Sequence, residues 1–256
     1  MNTNKFDKNN YICNTDSKIG VYLVHGFSST TYEMKMLFDF LEKKKYYVVC
    51  KNLPGHGTTV DDCNRQKFSD WLKFSEIEFA KLASKVDQIF VIGSSMGGVI
   101  SLYLASMFPV NGIIVAGTVL QFKKPFMTFL GSVLSKILKY QNKKNMFPKD
   151  VRDKIDFYGY SQYPLVALSE FRKMNKFVKR KMNNMNAPIL VIHSNSDRTS
   201  VKENINIIKN NISSQDKKVL IVNEAHHNMF DENVDQELIF KNISDFILSH
   251  LNIKSK

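Results

Sequence analysis

Residues 89–98 read Ile89-Phe90-Val91-Ile92-Gly93-Ser94-Ser95-Met96-Gly97-Gly98. Four apolar residues run into a glycine, as a buried strand does at its end. The stretch from Gly98 to Phe108 then continues with a helical pattern. The five residues between have the form G-x-S-x-G, and a strand-to-helix turn of that form is very sharp. Its flanking positions must lack a Cβ, which accounts for Gly93 and Gly97. Ser95 is thereby forced into strained backbone geometry, with its hydroxyl expected above the sheet edge. At average Gly and Ser usage the bare pattern turns up by chance in about one chain in ten. The strand before it and the helix after it give it weight.

The same rhythm extends to both sides. Upstream, Lys18–Val24 is an apolar strand ending in His25-Gly26. Thr30 or Thr31 is placed to cap a helix with the stripe Met34, Leu37, Phe38 and Leu41, closed by Lys43-Lys44-Lys45. Tyr46–Cys50 reads as a strand, Leu53–Gly57 as a loop, Phe68–Lys85 as a helix and Gln88–Ile92 as the strand before the turn. Downstream come the helix Met96–Phe108 and the strand Gly112–Ala116. Strands and helices alternating at these lengths imply an α/β protein, a mostly parallel sheet with helices on its faces. The alternation stops across Val119–Met185, where helical stripes replace strands: Phe126, Leu130, Val133, Leu134, Ile137 and Leu138, then Leu165, Leu168, Phe171, Met174 and Phe177. It resumes at Pro188 with Ile189–His193, Val201–Asn210, Lys218–Val222 and Asp235–His250. The expected organisation is a core of residues 1–117 and 187–256, with a helical cap of residues 118–186 inserted after the strand at 112–116.

A serine hydroxyl is a weak nucleophile at neutral pH and needs a base within hydrogen-bond reach. The base in turn needs a carboxylate to fix its tautomer. Asp197 is the only carboxylate in the loop Ser194-Asn195-Ser196-Asp197-Arg198, at the C-terminal end of a strand, where parallel sheets place their sites. An Asx turn or a helix cap is the plainer role for it. The strand Lys218–Val222 leads to Asn223-Glu224-Ala225-His226-His227, and two histidines compete there. His226 follows the small Ala225 and is the expected base, with His227 as the alternative. His193 and His250 are expected to be structural. Between its glycines, His56 should hold a tight turn through a ring-to-backbone hydrogen bond.

Of the 256 residues, 43% are hydrophobic and 12% aromatic, enough to bury a large core. The longest apolar runs, such as Ile19–Val24 and Ile189–Ile192, fall far short of the ~18 residues a membrane span requires. Met1–Lys8 has no apolar signal-type segment, so a cytoplasmic location is expected. Cys13, Cys50 and Cys63 show no metal or redox spacing and suit reduced thiols. The net charge is +12, carried by 31 Lys and only 5 Arg. Nucleic-acid readers favour arginine, so no such partner is expected. The charge is uneven: Thr118–Asn186 holds 15 Lys and Arg against 4 Asp and Glu.

These stretches resemble the α/β-hydrolase superfamily, and within it the small bacterial carboxylesterases and thermostable monoacylglycerol lipases. The likeness rests on Val21–Phe27, Leu53–Gly57, Val91–Gly98, Val110–Ile114, Ala187–Ile192 and the Asp197 and His226 loops, and it covers nearly the whole chain. It implies hydrolysis of short- to medium-chain acyl esters without cofactor or metal, through Ser95, Asp197 and His226. In that fold a backbone N–H from the His25-Gly26-Phe27 turn joins the one after the nucleophile to hold the oxyanion. Phe27 and Met96 are the donors so implied. The elbow departs from the family at Ser94, where an apolar residue is commoner, and the cap is unusually basic. An acyltransferase using the same acyl-enzyme, or a basic binding module on an inactive scaffold, are the alternatives. A monomer is the default. The stripe Phe126, Leu130, Val133 and Ile137 is expected to face the site and take an acyl chain. Lys123, Lys124, Lys136, Lys139, Lys143 and Lys144 would then point to solvent, where they could touch an anionic membrane surface.

Overall fold

The computed structural model describes residues 5–135, 137–143 and 158–251. Seven strands form one sheet: β1 (Tyr11–Cys13), β2 (Ile19–Val24), β3 (Tyr47–Cys50), β4 (Gln88–Ser94), β5 (Gly112–Ala116), β8 (Ile189–Ser194) and β9 (Lys217–Val222). They lie in the order β1-β3-β2-β4-β5-β8-β9. Only β1 is antiparallel to its neighbour. The other six strands of this sheet are parallel to one another, as the alternation requires.

Central strands of such a sheet are covered on both faces, so they read as unbroken apolar runs. Their side chains still alternate. Val21, Leu23, Phe90, Ile92, Ile114 and Ala116 enter one core layer, with Leu37, Phe38 and Leu41 of α1 (Lys35–Lys43). Ile239, Ile243, Phe246 and Ile247 of the last helix, Gln236–Ser249, complete that layer. Tyr22, Val24, Ile89, Val91, Ile113 and Val115 enter the other. There they meet α3 (Phe68–Ala83) and α4 (Met96–Met107). The helix α4 is buried from Met96 to Ser106, which explains why it is apolar all round.

The structure departs from expectation in several places. The short edge strand β1 was not foreseen; three residues carry too little pattern. A short helix, α2 (Val60–Arg65), lies in the stretch before α3, capped by Thr59 Oγ1 accepting from the Asp62 N–H at 3.2 Å. Thr31–Met34 forms a 3-10 turn before α1, and Thr30 does not cap it. The Thr30 hydroxyl donates instead to the Tyr158 carbonyl at 2.7 Å.

Between β5 and β8 the chain is not purely helical. Strands β6 (Tyr140–Asn142) and β7 (Gln162–Pro164) pair antiparallel, between α5 (Pro125–Leu134) and α6 (Leu165–Lys179). Helix α6 buries Leu165, Leu168, Phe171 and Met174 in the layer containing α3 and α4. Helix α5 does the opposite. Phe126 is 72% exposed and Ile137, just beyond the helix, 87%, and Leu130 and Val133 are exposed too. The expectation that this stripe faces the site is therefore corrected. Periodicity defines a face but not what the face meets. Lys123, Lys124 and Lys139 are exposed as expected, and Lys136 and Lys144 lie outside the described residues. Lys143 is the exception, with its ammonium 5.6 Å from the centroid of the Tyr163 ring.

Candidate active site

The turn between β4 and α4 has the strained geometry its spacing requires. Ser95 sits at φ 54°, ψ −113°. A side chain that crosses to positive φ costs about 1–3 kcal/mol and persists only where its surroundings enforce it. Here they do. A Cβ on Gly93 would lie 2.2 Å from the Gly97 carbonyl oxygen, and one on Gly97 would lie 2.0 Å from that of Val24. The Ser95 N–H donates to the Ala116 carbonyl at 2.8 Å, tying the turn to β5. Ser95 is buried rather than exposed. The turn at Gly26 lies against it, since a Cβ built there would come within 3.2 Å of the Ser95 Cβ.

Asp197 lies in the loop after β8. Its Oδ1 accepts from the Thr199 and Ser200 N–H groups at 2.7 and 2.9 Å. The Asx turn foreseen as its plainer role is thus present, and it leaves Oδ2 aimed at a histidine. That histidine is His227, whose Nδ1 donates to Asp197 Oδ2 at 2.8 Å. His227 Nε2 accepts from the Ser95 hydroxyl at 2.9 Å.

The expectation for His226 is corrected: its side chain is exposed and does not join Ser95 and Asp197. The cause is the anchoring of the loop. Asp235 Oδ2 accepts from the Glu224 and Ala225 N–H groups at 2.7 and 2.8 Å, and Ala225 is fully buried. In an extended segment the next side chain points the opposite way, to solvent, and the one after it points in again. Gly117, at φ 53°, leaves room for the pair, since a Cβ there would meet Asp197 Oδ2 at 3.2 Å and the His227 ring at 3.3 Å.

Burial opposes charge on both partners, yet the pairing prevails. Asp197 is held below the usual carboxylate range: burial would raise it, but His227 and two backbone N–H groups lower it. His227 is raised above the ordinary 6.5: burial would lower it, but the hydrogen bond and charge of Asp197, with the charge of Glu33, raise it. A base works as neutral imidazole. The acid limb of kcat/KM is therefore expected to have its midpoint above 6.5. A pH profile with a soluble activated ester checks this, and a midpoint below 6 would contradict it. The stability signs follow. The raised His227 contributes below 6.5 and loses its contribution as pH rises through its folded value. The lowered Asp197 contributes above 3.8 and loses its contribution on acidification.

The remaining histidines serve the frame. His56 Nε2 accepts from the Ser28 N–H at 3.1 Å and its Nδ1 donates to the Pro54 carbonyl at 3.2 Å, the turn-holding role foreseen for it. Burial, then the neighbouring His25, push it down to about 3. His25 Nε2 accepts from the Leu53 N–H at 3.0 Å. His250 pairs with Asp216 at 2.9 Å, and His193 is buried in β8.

Around the turn at residues 25–27 the structure gathers groups that sequence reading did not assemble. The Phe27 ring lies 5.5 Å from that of Phe171, 5.6 Å from Tyr163 and 6.2 Å from Trp71. Burial of the Lys143 ammonium lowers it to about 8. Glu33 is buried against the Gly26 N–H. Phe171 had a readable signal in its helical stripe; Lys143 was expected at the surface, and Glu33 carries no signal of its own in the sequence.

A mostly parallel sheet, a strained serine between strand and helix, and an imidazole between that serine and a carboxylate define an α/β-hydrolase. The family model described as serine aminopeptidase, S33, matches residues 15–234, and the chain belongs to that family. It is 28% identical to the thermostable monoacylglycerol lipase of Bacillus sp. (strain H-257) over 91% of each chain. It is 24% identical to a carboxylesterase of Bacillus subtilis (strain 168), over 89% of this chain and 91% of the relative. The solved structure of a metagenome-derived lipolytic enzyme shares the fold, with a TM-score of 0.86, 24% identity and coverage of 95% of this chain and 98% of that one.

Proposed function

We propose that this protein, an enzyme of the serine hydrolase class, is a carboxylic-ester hydrolase acting on short- to medium-chain acyl esters, monoacylglycerols among them. One observation carries the reading: His227 bridges Ser95 and Asp197 at 2.9 and 2.8 Å. Ser95 attacks the ester carbonyl while His227 takes its proton. His227 then delivers that proton to the leaving alcohol, and an acyl-enzyme remains. Water, deprotonated by His227, attacks the acyl-enzyme and releases the acid. Asp197 holds the tautomer and offsets the imidazolium charge. The N–H groups of Phe27 and Met96 are the proposed oxyanion donors. Met96 begins α4, and the first N–H groups of a helix have no partner within it. The relatives named as monoacylglycerol lipase and carboxylesterase support the ester class.

The acyl chain is assigned to the aromatic cluster of Phe27, Tyr163 and Phe171 rather than to α5. A series of p-nitrophenyl esters from two to sixteen carbons, with monoacylglycerols and aminoacyl anilides beside it, tests the substrate class. Medium-length esters and monoacylglycerols should be turned over fastest. Faster cleavage of the anilides would replace the ester reading with a peptidase one.

The outward stripe of α5 is assigned to an anionic lipid surface. Exposed Phe126, Phe129, Leu130 and Val133 stand beside Lys123, Lys124 and Arg172, whose guanidinium lies 5.2 Å from the Phe129 ring centroid. Each cation near such a surface contributes about 1 kcal/mol, fading with salt. Co-sedimentation with anionic vesicles at low salt should exceed that with neutral ones and fall at high salt. Equal binding to both would remove the assignment.

A further inference from the structure

Glu33 lies in the 3-10 turn before α1 and is only 3% exposed. Carboxylates are rarely buried unless paired, and each oxygen here has a partner. Oε2 accepts from the Gly26 N–H at 2.9 Å, and Oε1 accepts from the Ser94 hydroxyl at 2.5 Å. These two donors sit on different walls of the site. Gly26 immediately precedes Phe27, and Ser94 immediately precedes Ser95. A Cβ built on Gly26 would meet Glu33 Oε2 at 3.0 Å and the Ser95 Cβ at 3.2 Å, so Gly26 lies between the carboxylate and the serine. An apolar residue at position 33 would leave a buried N–H and a buried hydroxyl unpaired.

We propose that Glu33 is a positioning residue for the reaction: it clamps the Gly26–Phe27 turn to the Ser94–Ser95 elbow. This rests on the Ser95–His227–Asp197 reading. Glu33 touches no reacting atom. It acts through Gly26 and Ser94 on where the two oxyanion donors stand, and donors misplaced by a fraction of an ångström lose much of their effect.

The experiment compares Glu33→Ala, Glu33→Gln and Ser94→Ala with the parent enzyme, each first shown folded by its thermal melt. Alanine removes both acceptors, and its kcat should fall about tenfold or more with KM within about twofold, since an oxyanion contact acts in the transition state. Glutamine keeps an oxygen for the Gly26 N–H and offers its amide to the Ser94 hydroxyl, so it should return most of that kcat. Ser94→Ala, which loses half of the clamp, should fall between the two. A folded Glu33→Ala enzyme with parental kcat would overturn the proposal. Should that variant not fold, Ser94→Ala with parental kcat would overturn it. Ser95→Ala, run in parallel, separates the two readings: if it stays active the triad reading itself fails, whereas an inactive Ser95→Ala beside an unperturbed Glu33→Ala removes only the role of Glu33.

Discussion

Ser95→Ala should lower ester hydrolysis by about four orders of magnitude or more, to the level left by oxyanion contacts and binding alone. The protein should stay folded. The change removes one hydroxyl whose hydrogen bond, to His227 Nε2 at 2.9 Å, is worth about 1 kcal/mol net. It leaves the backbone at φ 54°, enforced by Gly93 and Gly97, with another residue bearing a Cβ, so the strain neither grows nor relaxes. Steady-state kinetics on a soluble ester, with a thermal melt of the same preparation, read both halves. A fluorophosphonate gives the stricter test, because two serines are adjacent. Ser94 is 1% exposed and its hydroxyl is held by the buried Glu33 carboxylate, so the reagent does not reach it. Ser95 faces an imidazole. Peptide mapping should therefore find the adduct on Ser95, and an adduct on Ser94 would reverse the assignment.

How much of this was legible beforehand depends on how local each cause is. The elbow was readable because its determinants lie within five residues: two glycines without which Gly93 would strike Gly97 and Gly97 would strike Val24. The parallel strands were readable because burial on both faces writes an unbroken apolar run such as Ile189–Ile192 into the chain. Asp197 was readable as the sole carboxylate after a strand. The direction of α5 was not, because Phe126 and Ile137 would show the same spacing whichever side they met. Nor was Glu33, whose donors Gly26 and Ser94 stand 7 and 61 residues away. In sequence it is one more acid near the start of an amphipathic helix. The choice between His226 and His227 belongs to this second group. It turns on Asp235, 10 and 11 residues beyond the N–H groups it holds, and a one-residue change of register there sends the other ring inward.

That register makes the largest contrast available between adjacent positions. His227→Ala should cost about four to six orders of magnitude in kcat, because the members of a triad act as a unit. His226→Ala should remain within about twofold, since an exposed side chain away from special features contributes little. The two variants also differ in stability. Without His227, Asp197 keeps its Thr199 and Ser200 N–H donors but loses its imidazole partner, and Oδ2 is left buried with nothing to accept from. An unsatisfied buried acceptor costs about 1–3 kcal/mol, more when charged, so His227→Ala should melt lower and lose further ground as pH rises and Asp197 ionises. His226→Ala should melt like the parent, since its side chain is exposed. Asp235→Ala then tests the cause rather than the residue. Releasing the Glu224 and Ala225 N–H groups frees the loop to slip, so activity should fall although no triad member has changed. An Asp235→Ala enzyme with full activity would mean that the loop is held by the burial of Ala225 alone. A His226→Ala enzyme as inactive as His227→Ala would mean that the register in solution is the opposite one.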